Sequence, residues 1–198
     1  MNEYEVEKEI SKLLSEGKWK DIINFVNSDI NFEARRLLWV WPTFNDLNWI
    51  KIIINELKLK GIVSIGCGTG LLEWIIQQHS GCDVIGVEAD KLWWHSKYSP
   101  PIYLNNIIFI ERNNNDLIVP NDFAILFCYF NNGQAFDDYI KNYIGKFVFI
   151  IGPDDGHNRC TDPLPFDRKL IDLGWKLCNA RLLDNKKDFI TVYSRRAL

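Results

Sequence analysis

The segment Gly66-Cys67-Gly68-Thr69-Gly70 is the part of the sequence best suited to hold a nucleotide-like ligand. A strand-like apolar run, residues 62–65, precedes it, and a helix-like run, residues 71–76, follows it. Glycines permit a tight turn and a close approach between ligand and backbone, while the start of a helix offers free amide donors. A purely structural turn is the alternative, because three glycines alone do not identify a ligand.

A second candidate is Glu88, which ends the apolar run Val84-Ile85-Gly86-Val87. It lies 20 residues beyond Gly68, close to the offset at which an acid can accept hydrogen bonds from both ribose hydroxyls of a nucleotide. A solvent-facing acid at a strand end is the alternative. Leu71 stands where a dinucleotide fingerprint anchored on Gly66 needs glycine, and no Gly-Lys-Ser/Thr follows. The spacing therefore disfavours dinucleotides and a phosphate loop of the ATP-binding type.

The G-x-G-x-G spacing resembles that of the class I (Rossmann-like) S-adenosylmethionine-dependent methyltransferase family, over about residues 50–198. The resemblance implies S-adenosylmethionine as cofactor. It also implies an adenine contact after the third strand, where Asn113 stands, with Asn114 next. The cofactor-binding residues expected from the resemblance are Gly66, Cys67, Gly68, Gly70, Glu88, Asn113 and Tyr129.

The sequence departs from the family pattern at three places. Ser64 occupies a strand position where many members carry an acid near the methionine end of the cofactor, and Asn113 replaces the usual acid at the adenine end. The Asn/Asp-Pro-Pro-aromatic motif of enzymes that methylate bases or glutamine is absent after the fourth strand. Tyr129 and Phe130 follow that strand instead, and strand alternation predicts that one of them lines the pocket while the other points into the core.

Candidate proton-transfer groups lie in the run Gly152-Pro153-Asp154-Asp155-Gly156-His157, after the fifth predicted strand. Methyl transfer from a sulfonium needs alignment and, for protonated acceptors, a base. His157 could take a proton, and Asp154 or Asp155 could orient it or bind a cationic substrate. An incidental histidine in a Gly/Pro/Asp turn is the alternative. Three ligands on one loop are weak support for a metal, so we predict no metal site.

Two tryptophan-rich segments, Trp39-Val40-Trp41-Pro42 and Trp93-Trp94-His95, flank the glycine segment. Adjacent tryptophans on a helix cannot both be buried on one narrow stripe, so at least one should be partly exposed. Core packing between the N-terminal helices and the sheet is the favoured interpretation, and a lid or adenine-side wall is the alternative.

These residues must be positioned by alternating strands and helices. Apolar runs predict strands at 61–66, 83–88, 106–111, 122–129, 146–151, 175–183 and 188–194. Such alternation indicates an α/β fold with a doubly wound, mostly parallel seven-stranded sheet and an antiparallel C-terminal hairpin strand, preceded by N-terminal helices. A capping box, Thr43 with Asp46, should open the last N-terminal helix. We assign residues 1–58 to a helical extension or cap and 59–198 to the Rossmann-like domain.

Composition narrows the function classes. The 198 residues carry a formal net charge of −3, which gives no broad cationic field, so nucleic acid is not the expected partner, although a local basic patch would escape this count. Five scattered cysteines indicate a reducing compartment, and we expect a cytoplasmic protein with no membrane association and with a small-molecule or protein substrate. A methyltransferase is the leading hypothesis. A noncatalytic S-adenosylmethionine-binding sensor or complex subunit is the second.

Overall fold

Short apolar runs of the sequence become the strands of one seven-stranded sheet. A computed structural model describes residues 3–27, 37–110, 117–154, 161–185 and 187–195. The strands are β1 Gly61–Ile65, β2 Asp83–Ala89, β3 Ile107–Ile110, β4 Phe123–Cys128, β5 Phe147–Pro153, β6 Lys176–Leu182 and β7 Asp188–Ser194. All seven coincide with the predicted strands to within about two residues.

The sheet has the order β3-β2-β1-β4-β5-β7-β6. β7 runs antiparallel to both of its neighbours, and the pairings from β3 to β5 are parallel. From β1 the chain first adds β2 and β3 on one side of β1, and then returns to add β4 and β5 on its other side. This reversal at β1 creates a crevice at the carboxyl ends of the strands, where ligands of open α/β sheets bind. The predicted fold class is confirmed.

Seven helices accompany the sheet in the described part of the chain. They are α1 Glu3–Ser15, α2 Trp19–Asn27, α3 Phe44–Glu56, α4 Leu71–Ser80, α5 Lys91–Trp94, α6 Gly133–Asn142 and α7 Arg168–Asp172. None of these helices has the length and apolar character needed to cross a bilayer.

Two apolar clusters cover the two faces of the sheet. Consecutive residues of β1 enter different clusters, Ile62 one and Val63 the other, because side chains alternate along a strand. The first cluster also takes in the buried faces of α1 to α4, including Ile10, Ile22 and Ile54. The N-terminal helices thus share a core with the sheet, and the assignment of residues 1–58 as a cap stays a prediction.

The predicted capping box at the start of α3 is confirmed. The Thr43 amide donates to Asp46 Oδ2 at 2.9 Å, and the Asp46 amide donates to Thr43 Oγ1 at 3.3 Å. Asp46 is buried, and its Oδ1 also accepts from Arg181 Nε and from the Asp184 amide, both at 3.2 Å. The side chain therefore ties α3 to β6 and to the turn that follows it.

Candidate functional site

A cavity of about 1090 Å³ opens at the carboxyl ends of β1, β2 and β4. These ends lie side by side, because Ile65 of β1 pairs with both Val87 of β2 and Phe127 of β4. The cavity is slightly larger than the usual range for small-molecule sites, about 300–1,000 Å³. Its size leaves room for a nucleoside-sized ligand together with a second small group.

The loop between β1 and α4 contains three glycines, of which Gly68 and Gly70 have different surroundings. Gly66, Gly68 and Gly70 have φ angles of 69°, 59° and 71°, which residues other than glycine rarely adopt. A Cβ on Gly70 would lie 2.5 Å from Leu104 Cβ, so this glycine permits packing and does not line the cavity. A Cβ on Gly68 would meet only the Trp94 ring, at 3.9 Å. The bare backbone of Gly68 therefore faces the open cavity.

Glu88 is held beside the glycine loop by backbone amides. Its Oε2 accepts from the Gly68 amide at 2.9 Å, and its Oε1 accepts from the Ala89 amide at 3.0 Å. Each carboxylate oxygen can accept a second hydrogen bond. Because Glu88 lines the cavity, its carboxylate can receive the two neighbouring hydroxyls of a ribose without rearranging.

A second carboxylate, which the sequence analysis did not single out, lies in the same wall. Ser64 Oγ of β1 donates to Oε1 of Glu73, in the first turn of α4, at 2.6 Å. Glu73 is 2% exposed, and its Oε2 has no hydrogen-bond partner among the described residues. Burial raises the pKa of Glu73 to about 7, against the opposing effect of the Ser64 hydrogen bond.

The charge of the described cavity wall is entirely negative. Glu73, Glu88 and Asp138 are its charged side chains, and no lysine or arginine of the described chain lines it. The thiols of Cys67 and Cys128 add no charge, because burial raises both pKa values above the ordinary value. Such a wall attracts cations and disfavours phosphates.

Tyr129 and Phe130 both line the cavity and are both half-buried. Phe130 also packs against the second apolar cluster and Tyr129 against the first, so both rings contact the core as well as the cavity. Tyr129 directly follows β4 and has a positive φ of 50°. Phe130 meets Phe127 edge-on at 5.1 Å between ring centroids.

The ring of Tyr129 is fixed by contacts that the sequence analysis missed. Its hydroxyl donates to Oδ1 of Asp188, a residue of β7 that is 2% exposed. The other oxygen of Asp188 accepts from Asn185 Nδ2 at 2.6 Å. Trp39, which is 71% exposed, stacks on Tyr129 with ring centroids 5.9 Å apart and an interplanar angle of 18°. These two rings form an aromatic surface at one end of the cavity.

Trp93 and Trp94 form a second aromatic surface. Both line the cavity, and their rings meet at 4.7 Å and 87°. The favoured prediction of core packing is wrong for this pair, because α5 is only four residues long and Trp93 is 45% exposed. The expectation that at least one ring is partly exposed is confirmed. In the other segment, Trp41 packs against the core and Trp39 does not.

Of the three candidate proton-transfer residues after β5, the structure describes only Asp154. Asp154 is exposed directly after β5 and does not line the cavity. Asp155 and His157 lie outside the described residues, as do Asn113 and Asn114, so their roles stay predictions. Gly66, Cys67, Gly68, Glu88 and Tyr129, by contrast, come together in one wall. Within the described ranges, no group of three His, Cys, Asp or Glu side chains could hold a metal ion.

Comparisons with known proteins connect this architecture to one class of fold. No family model matches the sequence, and no curated protein matches it. A candidate O-methyltransferase from Nostoc punctiforme superposes with a TM-score of 0.53 at 15% identity, covering 76% of this chain and 56% of that one. An S-adenosylmethionine-dependent methyltransferase from Clostridium acetobutylicum gives 0.51 at 10%, covering 82% and 96%.

A third similar structure covers nearly the whole chain. It is a candidate caffeoyl-CoA O-methyltransferase from Staphylococcus aureus, with a TM-score of 0.50 at 15% identity, covering 90% of this chain and 99% of that one. At such identities the likeness concerns the fold. The strand order and the glycine loop between β1 and α4 agree with it. The chain has the fold of the class I, Rossmann-like S-adenosylmethionine-dependent methyltransferases.

Proposed function

We propose that this protein is an S-adenosylmethionine-dependent methyltransferase that acts on a small-molecule or protein acceptor. The observation that carries the proposal is the hydrogen bond from the Gly68 amide to Glu88, which holds a ribose-binding carboxylate against the open face of the glycine loop. The negative wall supports it further, because S-adenosylmethionine bears a sulfonium and an ammonium cation.

The residues of the cavity suit this cofactor part by part. Glu88 would hold the ribose, and the bare Gly68 backbone would let the cofactor approach the loop. Trp93 and Trp94 offer an apolar wall to adenine, and Asn113 stays our candidate for the adenine amino group. When bound, S-adenosylmethionine supplies an activated methyl group that passes to the acceptor's lone pair as the carbon–sulfur bond breaks. The chain's own contribution is alignment, exclusion of water and removal of any acceptor proton.

We place the acceptor beside Trp39 and Tyr129. Asp188 holds the Tyr129 hydroxyl, and Tyr129 follows β4, which lies on the other side of β1 from β2, the strand of Glu88. Trp39 precedes α3, and Leu37 and Leu38 also line the cavity, which favours the N-terminal segment as a cap over the acceptor. The negative wall makes a nucleic-acid acceptor the less suitable partner.

For acceptors that carry a proton, we retain His157 as the candidate base, with Asp154 and Asp155 as its orienting groups. A cytoplasmic location remains part of the proposal, and it is supported by the free thiols of the four described cysteines, Cys67, Cys82, Cys128 and Cys178.

A methyl-transfer experiment with two glycine variants tests the proposal. The protein is incubated with S-adenosylmethionine labelled on its methyl group and with a cell extract separated into small-molecule and protein pools. Gly68→Ala should abolish transfer, because the new Cβ fills the face that the cofactor approaches. Gly81→Ala is the matched control, since Gly81 also has a positive φ, 78°, with nothing within 4 Å, but lies at the far end of α4.

We expect label in one of the two pools with the wild type and with Gly81→Ala, and none with Gly68→Ala. Binding of S-adenosylhomocysteine without any transfer of label would overturn catalysis in favour of a sensor or complex subunit. Equal transfer by both glycine variants would remove Gly68 from the site.

A further inference from the structure

The acid that many class I methyltransferases carry on β1 has no counterpart at Ser64, yet a carboxylate lies beside this position. It belongs to Glu73, in the first turn of α4, and Ser64 Oγ donates to its Oε1 at 2.6 Å. In this chain the strand supplies the hydroxyl and the helix supplies the acid. Glu73 is 2% exposed and belongs to the cavity wall.

The second oxygen of Glu73 is the unusual feature. Oε2 is buried and has no hydrogen-bond partner among the described residues, although buried polar atoms are nearly always paired. A buried carboxylate with one unpaired oxygen lowers the stability of the folded chain, because it loses the solvation of water without full compensation. An unpaired buried acid in a cavity wall indicates a ligand that supplies the missing donor.

None of the described side chains that interact electrostatically with Glu73 carries a positive charge. Electrostatic neighbours of Glu73 are Glu88 of β2, Cys67 of the glycine loop and Cys128 at the end of β4. Glu88 is an acid, and burial raises the pKa of both thiols, which stay neutral. A cationic group of the ligand therefore satisfies both the hydrogen bond and the charge.

The order of the strands determines which part of the ligand would lie there. Glu88 lies at the end of β2 and Tyr129 follows β4, while Ser64 lies on β1 between them. A ligand whose ribose contacts Glu88 and whose chain runs toward Tyr129 must pass over β1. In S-adenosylmethionine the amino-acid portion extends away from the ribose in this way, beyond the sulfur atom.

Building on the proposed function, we propose that Glu73, anchored by Ser64, binds the α-ammonium group of the cofactor's methionine portion. In this role Glu73 replaces the missing acid of β1. The raised pKa of Glu73, about 7, is consistent with an acid that lacks a cation until the ligand binds.

Calorimetric titration with two ligands tests this assignment. S-adenosylhomocysteine carries the amino-acid portion, whereas 5′-methylthioadenosine has the same nucleoside and a sulfur atom without it. Glu73→Gln keeps the shape of the side chain and removes its charge. It should weaken S-adenosylhomocysteine binding roughly tenfold to hundredfold and leave 5′-methylthioadenosine binding unchanged. Glu73→Asp, which keeps the charge, should restore part of the difference.

The outcomes separate this inference from the proposed function. If the wild type binds neither ligand, the proposed function and the inference both fail. If the wild type binds both ligands and Glu73→Gln weakens neither, or weakens both equally, the inference fails while the proposed function stands.

A wild-type measurement covers the case in which the variants do not fold. With a pKa of about 7, Glu73 is mostly protonated at pH 6 and mostly ionised at pH 8. Affinity for S-adenosylhomocysteine, relative to that for 5′-methylthioadenosine, should rise by up to about tenfold over this range. An affinity ratio that does not change between pH 6 and pH 8 would overturn the assignment.

Discussion

At the scale of single residues, Glu73 combines a stability cost with a proposed binding role. The sequence contains a signal for it, since this acid interrupts the otherwise apolar start of α4, where Leu71, Leu72 and Ile75 are all buried. Ser64 stands where the family resemblance implies an acid, but no local pattern connects this position with Glu73. The two positions are nine residues apart, and only the packing of α4 on β1 brings them together.

The burial of Glu73 predicts a pH dependence of stability. Its pKa is about 7 in the folded chain against an ordinary 4.5, so between these values the folded state holds a proton that the unfolded state has released. Stability therefore falls as pH rises through this window. From pH 5 to pH 8 the wild type should lose roughly 2–3 kcal/mol more than Glu73→Gln.

Urea unfolding of both proteins at pH 5 and pH 8 measures this difference. The paired comparison cancels the titration of every other group. If the free energy of unfolding changes by the same amount in the wild type and in Glu73→Gln between pH 5 and pH 8, Glu73 does not titrate as a buried acid.

The other site residues differ in how far the sequence predicted them. Gly68 and Glu88 were predictable, because the loop and the acid belong to two successive strand ends at a characteristic separation. Asp188 was not, since it meets Tyr129 across 59 residues of sequence, and no local pattern marks such a pair.

At the scale of elements, local signals predicted the starts of helices and the limits of strands. The Thr43–Asp46 capping box is one such signal, because its hydrogen bonds span only three residues. The length of α5 was not predictable in the same way. Asp90 caps it from a left-handed conformation and accepts from the Trp93 amide, and the helix ends one residue later.

The hydrogen bonds of Asp46 predict a stability effect that links elements. Asp46→Ala leaves the amides of Thr43 and Asp184 without this acceptor and removes one of the two ionic partners of Arg181, the other being Asp184. The free energy of unfolding should fall by about 2–3 kcal/mol. Urea unfolding measures it. Asp122→Ala is the control, because Asp122 pairs with Lys60 at the exposed surface and should change stability little. An equal loss of unfolding free energy in both variants would contradict the role of Asp46 in joining α3 to β6.

At the scale of the whole molecule, alternating strand and helix patterns predicted the α/β class and the antiparallel C-terminal hairpin. These patterns are local and follow from side-chain periodicity. The negative wall was not predictable from a net charge of −3, because Glu73, Glu88 and Asp138 meet only when three separate elements reach one edge of the sheet.

Calorimetric titration tests whether Glu88 and the glycine loop hold S-adenosylmethionine. S-adenosylhomocysteine and NAD are titrated into the wild type, Glu88→Ala and Asp83→Ala. Asp83 is the matched control, an exposed acid at the opposite end of β2.

We expect S-adenosylhomocysteine to bind the wild type and Asp83→Ala alike. It should bind Glu88→Ala about 100-fold more weakly, because two hydrogen bonds to a charged group are lost. NAD, with its two phosphates, should not bind the negative cavity. Tighter binding of NAD than of S-adenosylhomocysteine would overturn the cofactor assignment, and unchanged S-adenosylhomocysteine affinity in Glu88→Ala would remove Glu88 from the site.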